Sequence, residues 1–407
     1  MDLEIANICY KVLPLLAMIC ANCKGRGLCG RPYCPILRRL EKISALPKIG
    51  TTLEGLSPPE VFVGRHGYPS VRAGPMVPAL EAHHGQSLSM DIAEIIASRS
   101  SMVRSEVRIG VKEALAPGRL LESCQQLALS SAPVGTEVTF HKPPRAAMHF
   151  DGVLSPFGPE GQLKEMEITT NPLIPRKVDE VVEEKDALAA ASVGELHSAG
   201  IDLGHISRLL SFGLLGKKRK LVPTRWSITA SDDMVGKLLA EKMADNPVVS
   251  DFYLYSSQDL GNHFEILLIP EAYSFELIEI WMPGSAWSPQ GWMGSDREDL
   301  RGKKEYSPLA GGYYASRLAV LEELSRLGRQ AAVLAVREIS ERYWAPLGVW
   351  VPREAARKAM AAPPRRFGSL GEALAEMEER IKTPASEWRM LSRLLTAPAQ
   401  RRLADFI

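Results

Sequence analysis

The sequence has no long hydrophobic run. Nothing in it approaches the roughly 18–20 apolar residues needed to cross a bilayer, and its first apolar segment, IANICYKVLPLLAMIC, is interrupted by Lys11 and Pro14. Asp2 and Glu4 stand where a secretion signal would carry bases, so a cytoplasmic protein without a membrane partner is expected. Neither sign of charge is in excess: 49 Lys and Arg face 48 Asp and Glu, a formal net charge of +1. That excludes a chain attracting polyanions over its whole surface and leaves the task to local patches. Cysteine is scarce, at six in 407 residues, which excludes a disulfide scaffold. The patterns G-x-x-x-x-G-K-[ST], G-x-S-x-G and H-E-x-x-H are all missing, so no P-loop, nucleophile elbow or zincin site is indicated. No catalytic residue can be named, and no internal repeat is seen.

What cysteine there is lies together. CANCKGRGLCGRPYC places Cys20, Cys23, Cys29 and Cys34 in a C-x2-C-x5-C-x4-C array. A tetrahedral zinc needs four thiolates converging on one point; a C-x2-C turn delivers two, and Gly25, Gly27 and Gly30 let the backbone fold tightly enough to bring the others. Four thiolates leave no open position, so structural zinc is expected, with an iron–sulfur cluster as the alternative. The metal would supply folding energy that so short a segment lacks. Residues 24–48 hold seven bases against the single acid Glu41, so the element stays cationic even beside an anionic thiolate centre. That suits phosphate contact, or a solvated structural knob. Cys9 and Cys124 read as buried apolar residues.

The length suits two or three domains. Residues 1–50 carry a helix-like start, the cysteine element and the amphipathic ILRRLEKI. Residues 51–350 read as an α+β core, with a subdivision near 215. They open with the turn-rich SPPEVFVGRHGYPSVRAGPMVP, which contains one short strand, Val61–Val63. SLSMDIAEIIASRSSMV is helical with Ser or Asp as cap, GRLLESCQQLALSSA is helical, and SEVRIG and TEVTFHK alternate as strands. A helical region spans about 178–215. Beyond it TRWSIT, DFYLYSS, HFEILLIP and YSFELIEIWMP alternate, the last three as an antiparallel meander, and a long helix is expected over Tyr313–Tyr343. Residues 351–399 form a helical region with one helix near 369–382, then a linker, and 400–407 a tail. The class is α+β: an antiparallel sheet with packed helices, an N-terminal zinc-binding element, a C-terminal helical region and a flexible tail.

Two stretches suit phosphate. GRHGYPSVRAGP offers Arg65 and Arg72 among turn-formers. GLLGKKRKLVPTRW offers Lys217, Lys218, Arg219 and Lys220, followed by Thr224, Arg225 and an aromatic, Trp226, for base stacking. Each could equally be an ordered or charged loop. Three tryptophans, Trp281, Trp287 and Trp292, share a Gly/Pro-rich loop that reads more simply as pinned to a core. ELHSAGIDLGHISRLLS could form a helix–turn–helix. Glu81, His83, His84, Asp232 and Asp233 could supply metal ligands or a base, but the adjacent His83 and His84 cannot both face one site, and Asp232 and Asp233 more simply suit a helix cap.

The chain closes on QRRLADFI. Gln400, Leu403 and Phe406 recur every three residues, so one 3₁₀ turn would set Leu403 and Phe406 on a single face beside Ile407. This resembles the sliding-clamp (PCNA) interacting motif, with Ile407 where a second aromatic is usual. The whole chain resembles the archaeal Nre DNA repair proteins, through CANCKGRGLCGRPYC, VGRHGYPSVRAGP, HISRLLSFGLLGKKRKLVPTRWSITASDD, IEIWMPGSAW, GGYYASRLAVLEEL and QRRLADFI. The resemblance implies a DNA damage response role, metal on Cys20, Cys23, Cys29 and Cys34, and clamp binding through Gln400, Leu403, Phe406 and Ile407. It implies no active site. A repair protein touching DNA is the first expectation; a nucleotide- or DNA-end-processing enzyme and a non-catalytic scaffold are the alternatives.

Overall fold

A computed structural model of the chain describes residues 26–27, 34–80, 87–145, 158–285, 288 and 290–396. These form two compact units: residues up to Leu238 together with Ala345–Gly348, and the remainder from Leu239 onward. The division falls inside one helix, later along the chain than the subdivision expected near 215. Among the described residues no helix is long and apolar enough to cross a membrane. The α+β class holds, but both sheets are mixed rather than antiparallel.

In the first unit, β1 (Thr52–Ser57), β2 (Val61–Val63), β3 (Ser70–Pro78), β4 (Met102–Gly110), β5 (Val134–Phe140) and β6 (Glu160–Ile168) form one sheet in the order β1-β5-β6-β4-β3-β2. Its neighbours pair antiparallel except β4 and β6, which run parallel. A parallel pair needs a crossover rather than a hairpin; here α3 (Arg119–Leu129) and β5 lie between the two strands. The strand β3 lies in what reads as turn-rich sequence. Prolines are poor central-strand residues, yet Pro75 is tolerated because the pairing of β3 with β4 is interrupted at Gly74 and Pro75, while the next amide, Met76, bonds the Glu60 carbonyl on the other side. Gly74 matters more. A β-carbon there would lie 1.9 Å from the Ser105 carbonyl oxygen, so only glycine lets β3 approach β4 this closely.

The helices of this unit follow their sequence signals. α1 (Pro35–Ser44) covers ILRRLEKI. α2 (Ile92–Ser100) opens on a reciprocal cap: Asp91 Oδ1 accepts from the Glu94 amide at 2.7 Å, and Glu94 Oε2 accepts from the Asp91 amide at 2.7 Å. α3 buries Leu121, Cys124, Leu127 and Ala128, and burial pushes the Cys124 thiol up to about 12, as suits a core cysteine. The helical region resolves into α4 (Arg176–Glu183), α5 (Ala189–Ser198) and α6 (Leu203–Ser211).

TRWSIT is not a strand. It opens α7 (Thr224–Met243), the helix that the two units share. Six residues of alternation mimicked period two, but buried Ser227, Ser231, Asp232 and Val235 recur at helical spacing. Asp232 and Asp233 therefore lie inside a helix and do not cap one. Asp232 is fully buried, and Asp233 accepts from Lys237 one turn on, at 2.7 Å.

The second unit holds β7 (Phe252–Asp259), β8 (Asn262–Ile269), β9 (Ser274–Trp281), β10 (Trp292–Asp299), β11 (Ala332–Ile339) and β12 (Arg365–Phe367), in the order β10-β9-β11-β8-β7-β12. The three meander strands are β7, β8 and β9, but β11 inserts between β8 and β9 and runs parallel to β9. The long helix expected to reach Tyr343 ends sooner. α8 (Ala310–Leu327) stops at Gly328, whose φ of 61° is left-handed and whose amide returns to Leu324 and Ser325. AVLAVREI is then a strand. It is buried on both faces, so its first part, AVLAV, shows an unbroken apolar run that periodicity cannot tell from a helix.

That sheet is the middle layer of its unit. One face packs Phe264, Ile266, Phe275 and Val333 against Leu321 and Leu324 of α8 and Ala355 and Ala359 of α9 (Trp350–Ala361). The other packs Leu267, Ile278 and Val336 against Leu374 and Met377 of α10 (Leu370–Arg380) and Trp388 of α11 (Ala385–Arg389). Several buried charges of this unit have specific partners. Arg317 bonds both oxygens of Glu298, at 2.8 and 2.9 Å. Arg337 donates to Glu279 at 2.6 Å and to Asn262 Oδ1 at 3.0 and 2.6 Å. A β-carbon at Gly312 would lie 2.8 Å from Glu279 Oε1, so α8 offers a bare backbone where this pair needs room. Glu276 accepts from Ser392 Oγ at 2.5 Å and from the amides of Arg393 and Leu394 at 2.7 and 3.1 Å. It thereby caps α12 (Arg393–Thr396), the last helix described.

The close approach at Gly74 gives a direct test. Gly74→Ala is expected to destabilise the protein by about 3 kcal/mol or more, because a backbone oxygen rather than a side chain must move. For a unit of this size thermal unfolding would then begin about 6–12 °C lower, read by calorimetry.

Candidate nucleic-acid interface

Two stretches far apart in sequence meet in the first unit. The Val63 amide, at the end of β2, donates to Thr224 Oγ1 at 2.8 Å. Thr224 Oγ1 also lies 3.3 Å from Ser211 Oγ, and Ser211 donates to the Val222 carbonyl at 2.8 Å. The loop after β2 folds back through Gly64, whose amide donates to the Arg72 carbonyl at 2.7 Å, and through Gly67, whose carbonyl accepts from the Ser70 amide at 2.9 Å. Gly67 has φ 84°; a β-carbon there would be strained and would press on the Ser70 carbonyl. Two further backbone bonds complete the junction: Val111 amide to Pro69 carbonyl at 2.9 Å, and Leu221 amide to Val111 carbonyl at 2.8 Å. The GRHGYPSVRAGP loop and the KKRKLVPTRW segment are thus neighbours.

The adjoining sheet is rich in arginine. Arg104, Glu106 and Arg108 alternate along β4 and so share a face, and Arg72 on β3 stands directly opposite Arg108. Like charges placed opposite each other across strands are destabilising. Only part of this charge is neutralised. Glu106 takes Arg72 at 2.7 Å and Arg104 at 3.5 Å, and Glu160 takes Arg104 at 3.3 Å. Arg104 also lies over the Phe62 ring, 4.3 Å from its centroid, and is nearly covered. Arg72 keeps 64% of its side chain exposed. Arg108 is exposed and has no carboxylate partner among the described residues. Beside them, Tyr68 and Trp226 pack ring against ring, with centroids 5.6 Å apart and planes at 51°. Tyr68 is 39% exposed and Trp226 is half-buried.

Of the residues expected to meet phosphate, Arg65 and Arg225 are half-buried and Arg72 is exposed. Thr224 spends its hydroxyl on the Val63 amide. Lys217 and Lys218 are exposed and Lys220 is half-buried. Arg219 is turned to the protein instead, donating to the carbonyls of Val182 and Gly216, and burial lowers its pKa. Arg104, Glu106, Arg108 and Tyr68 were not anticipated. The signal for the three charged residues was present in RSEVR, which alternates charge on one face of a strand. α6, the second helix of the supposed helix–turn–helix, is buried along most of its length and leaves no face for a groove. Trp281 is buried and Trp292 is 42% exposed; Trp287 lies outside the described residues. So do Cys20, Cys23, Cys29, Glu81, His83, His84, Gln400, Leu403, Phe406 and Ile407. Cys34 is described: it is half-buried, forms no disulfide, and stands at the N-cap of α1 without making a capping bond.

Models of two family segments, archaeal Nre N-terminal and archaeal Nre C-terminal, match residues 28–288 and 298–406. The chain belongs to the archaeal Nre family. It is 40% identical over 383 residues to the DNA repair protein NreA of Archaeoglobus fulgidus, covering 93% of this chain and 97% of that one. It is 35% identical to the DNA repair protein NreB of the same organism, covering 96% and 100%. To NreA of Haloferax volcanii it is 32% identical, covering 88% and 89%. No solved structure matches the chain. The seam between the two Nre segments, near 288–298, does not coincide with the division between compact units. β7, β8 and β9 come from the first segment, β11 and β12 from the second, and all belong to one sheet.

One titratable group of this unit is a core residue and gives a pH test. His205 on α6 is buried; burial, and then the charge of Arg208, lower its pKa from 6.5 to about 4. The unfolded chain takes up this proton near pH 6.5 and the folded chain only near 4, so stability is lost as pH falls through that window. The loss attributable to His205 is on the order of 2 kcal/mol. Denaturant melts at pH 7 and pH 4.5 are expected to show a difference that is smaller by this amount in His205→Gln.

Proposed function

We propose that this chain is an archaeal DNA repair protein that docks on the PCNA sliding clamp through its tail and touches DNA through the arginine face of its first unit. The observation that carries the repair reading is the 40% identity, across nearly the whole chain, to a relative named a DNA repair protein. DNA contact is supported by the geometry: Arg72, Arg104 and Arg108 outnumber the two carboxylates that meet them, and the surplus is exposed beside two aromatics. Both carboxylates of that face are engaged by arginine, which suits holding phosphate rather than breaking it. The clamp reading rests on Gln400, Leu403, Phe406 and Ile407 as a motif, with Ile407 weakening rather than preventing docking.

The zinc reading rests on the spacing of Cys20, Cys23, Cys29 and Cys34. Cys34 fits it, because its thiol is committed to no disulfide and no helix cap. Bound there, zinc would hold the segment before α1 in place and supply folding energy rather than chemistry.

Three outcomes test these parts separately. The full-length protein is expected to bind the cognate clamp by calorimetry, and a version ending at Ala399 to show no heat. DNA affinity should fall steeply with salt, and the double change Arg72→Glu and Arg108→Glu should weaken it at least tenfold and flatten the logarithmic salt dependence by about two. Stoichiometric zinc is expected by atomic absorption and should be lost in Cys23→Ser. Equal clamp binding by both versions, salt-independent DNA binding, or a metal-free wild type would each defeat the corresponding part.

A further inference from the structure

We infer that the arginine face takes single-stranded DNA in preference to duplex, with Tyr68 and Trp226 as the platform on which an unpaired base stacks. This rests on the proposed DNA contact and names its substrate. The aromatic pair is the deciding feature. Tyr68 and Trp226 meet from segments far apart in the chain, at 5.6 Å and 51°, so each ring limits the rotation of the other. The pair is pre-ordered by the backbone on both sides: Pro69, next to Tyr68, accepts from Val111, and Thr224, two residues before Trp226, accepts from Val63. Neither ring is sunk into the core. Tyr68 keeps 39% of its surface, on a loop whose neighbours His66, Gly67 and Pro69 are also exposed.

An aromatic face pays for its exposure only by covering another flat apolar group, and within a duplex the faces of the bases are already stacked on one another. They become available in single strands, gaps and flaps, where stacking on a side chain is strong and tolerant of sequence. The charge beside the pair has the matching form. Arg72 and Arg108 are cross-strand partners, and Arg108 reaches over the loop that carries Tyr68: a β-carbon on Gly67 would lie 3.3 Å from its Nη2. Cation and stacking surface are therefore one residue apart along that loop. That closeness suits a phosphate and its own base. An anion between Arg72 and Arg108 would also relieve the repulsion that the register imposes.

The test uses the full-length protein and fluorescence anisotropy with a labelled oligothymidine and with a labelled duplex of equal length and mixed sequence. Wild type is expected to bind the single strand at least tenfold more tightly. Trp226→Ala should lose about tenfold on the single strand and little on the duplex, while Trp226→Phe, which keeps a ring, should retain most of the affinity. Tyr68→Ala, a change at an exposed loop position, should reproduce the selective loss; thermal melts confirm that each variant is folded. If duplex binds as tightly as single strand, or if Trp226→Ala and Tyr68→Ala weaken both alike, the inference is overturned while DNA contact stands. If folded wild type binds neither, DNA contact itself fails and the inference with it.

Discussion

The hydroxyl of Thr224 joins positions separated by 161 residues, and the site in the first unit depends on that bond. β2 is the edge strand of its sheet and only three residues long. A buried amide at such an edge needs an acceptor, and the Val63 amide finds it at the start of α7. The same bond sets α7 against the sheet, and with it Arg225 and Trp226. It is the direct link between the strand that leads into the Tyr68 loop and the helix that carries Trp226. The backbone bonds from Pro69 through Val111 to Leu221 carry the junction further, so that an exposed surface is held by main-chain geometry and small hydroxyls rather than by the large side chains it displays.

The second unit solves a different problem. Its sheet is covered on both faces, yet β9 carries Glu276 and Glu279, β8 carries Glu265, and β11 carries Arg337 and Glu338, all buried. Each buried carboxylate has its donors: Glu279 has Arg337 and Trp281, Glu338 has Thr383 and its amide, and Glu265 has Ser256, His263 and Arg380. A paired charge in such a place adds little net stability compared with apolar packing, but removing one partner leaves the other stranded at a cost of about 3–5 kcal/mol. These pairs therefore act as register marks. Arg337 can meet both Asn262 and Glu279 only if β11 lies between β8 and β9, the insertion that makes the sheet mixed.

Much of this was legible in the sequence, and the failures have physical causes. Helices with caps or one apolar stripe, such as α2 and α3, were read directly, because capping and periodicity are local. The two stretches expected to suit phosphate read as separate candidates, since nothing local in GRHGYP or TRW says that they meet; one bond that unites them is between a backbone amide and a threonine hydroxyl. Arg104 and Arg108 were missed although RSEVR alternates, because charge on a strand usually marks only a solvated face. β11 passed for helix since a strand buried on both sides loses its alternation. The opening of α7, TRWSIT, passed for strand, and the helix was expected to start only at Asp232, since its buried face is made of Ser227, Ser231 and Asp232 rather than of large apolar residues. Parallel pairing of β4 with β6 and of β9 with β11 was beyond reach, because register between distant strands is set by crossovers that the pattern of a single segment does not record.

Glu276 gives the tail a measurable leash. By capping α12 it ties the backbone of Arg393 and Leu394 to the middle of a fully buried strand, so the last helix described is rooted in the central sheet of its unit. Thr396 closes that helix, and Gln400 follows four residues later. A chain of that length spans at most about 14 Å. A partner gripping Gln400 would thus be held close to the second unit, at a high effective concentration.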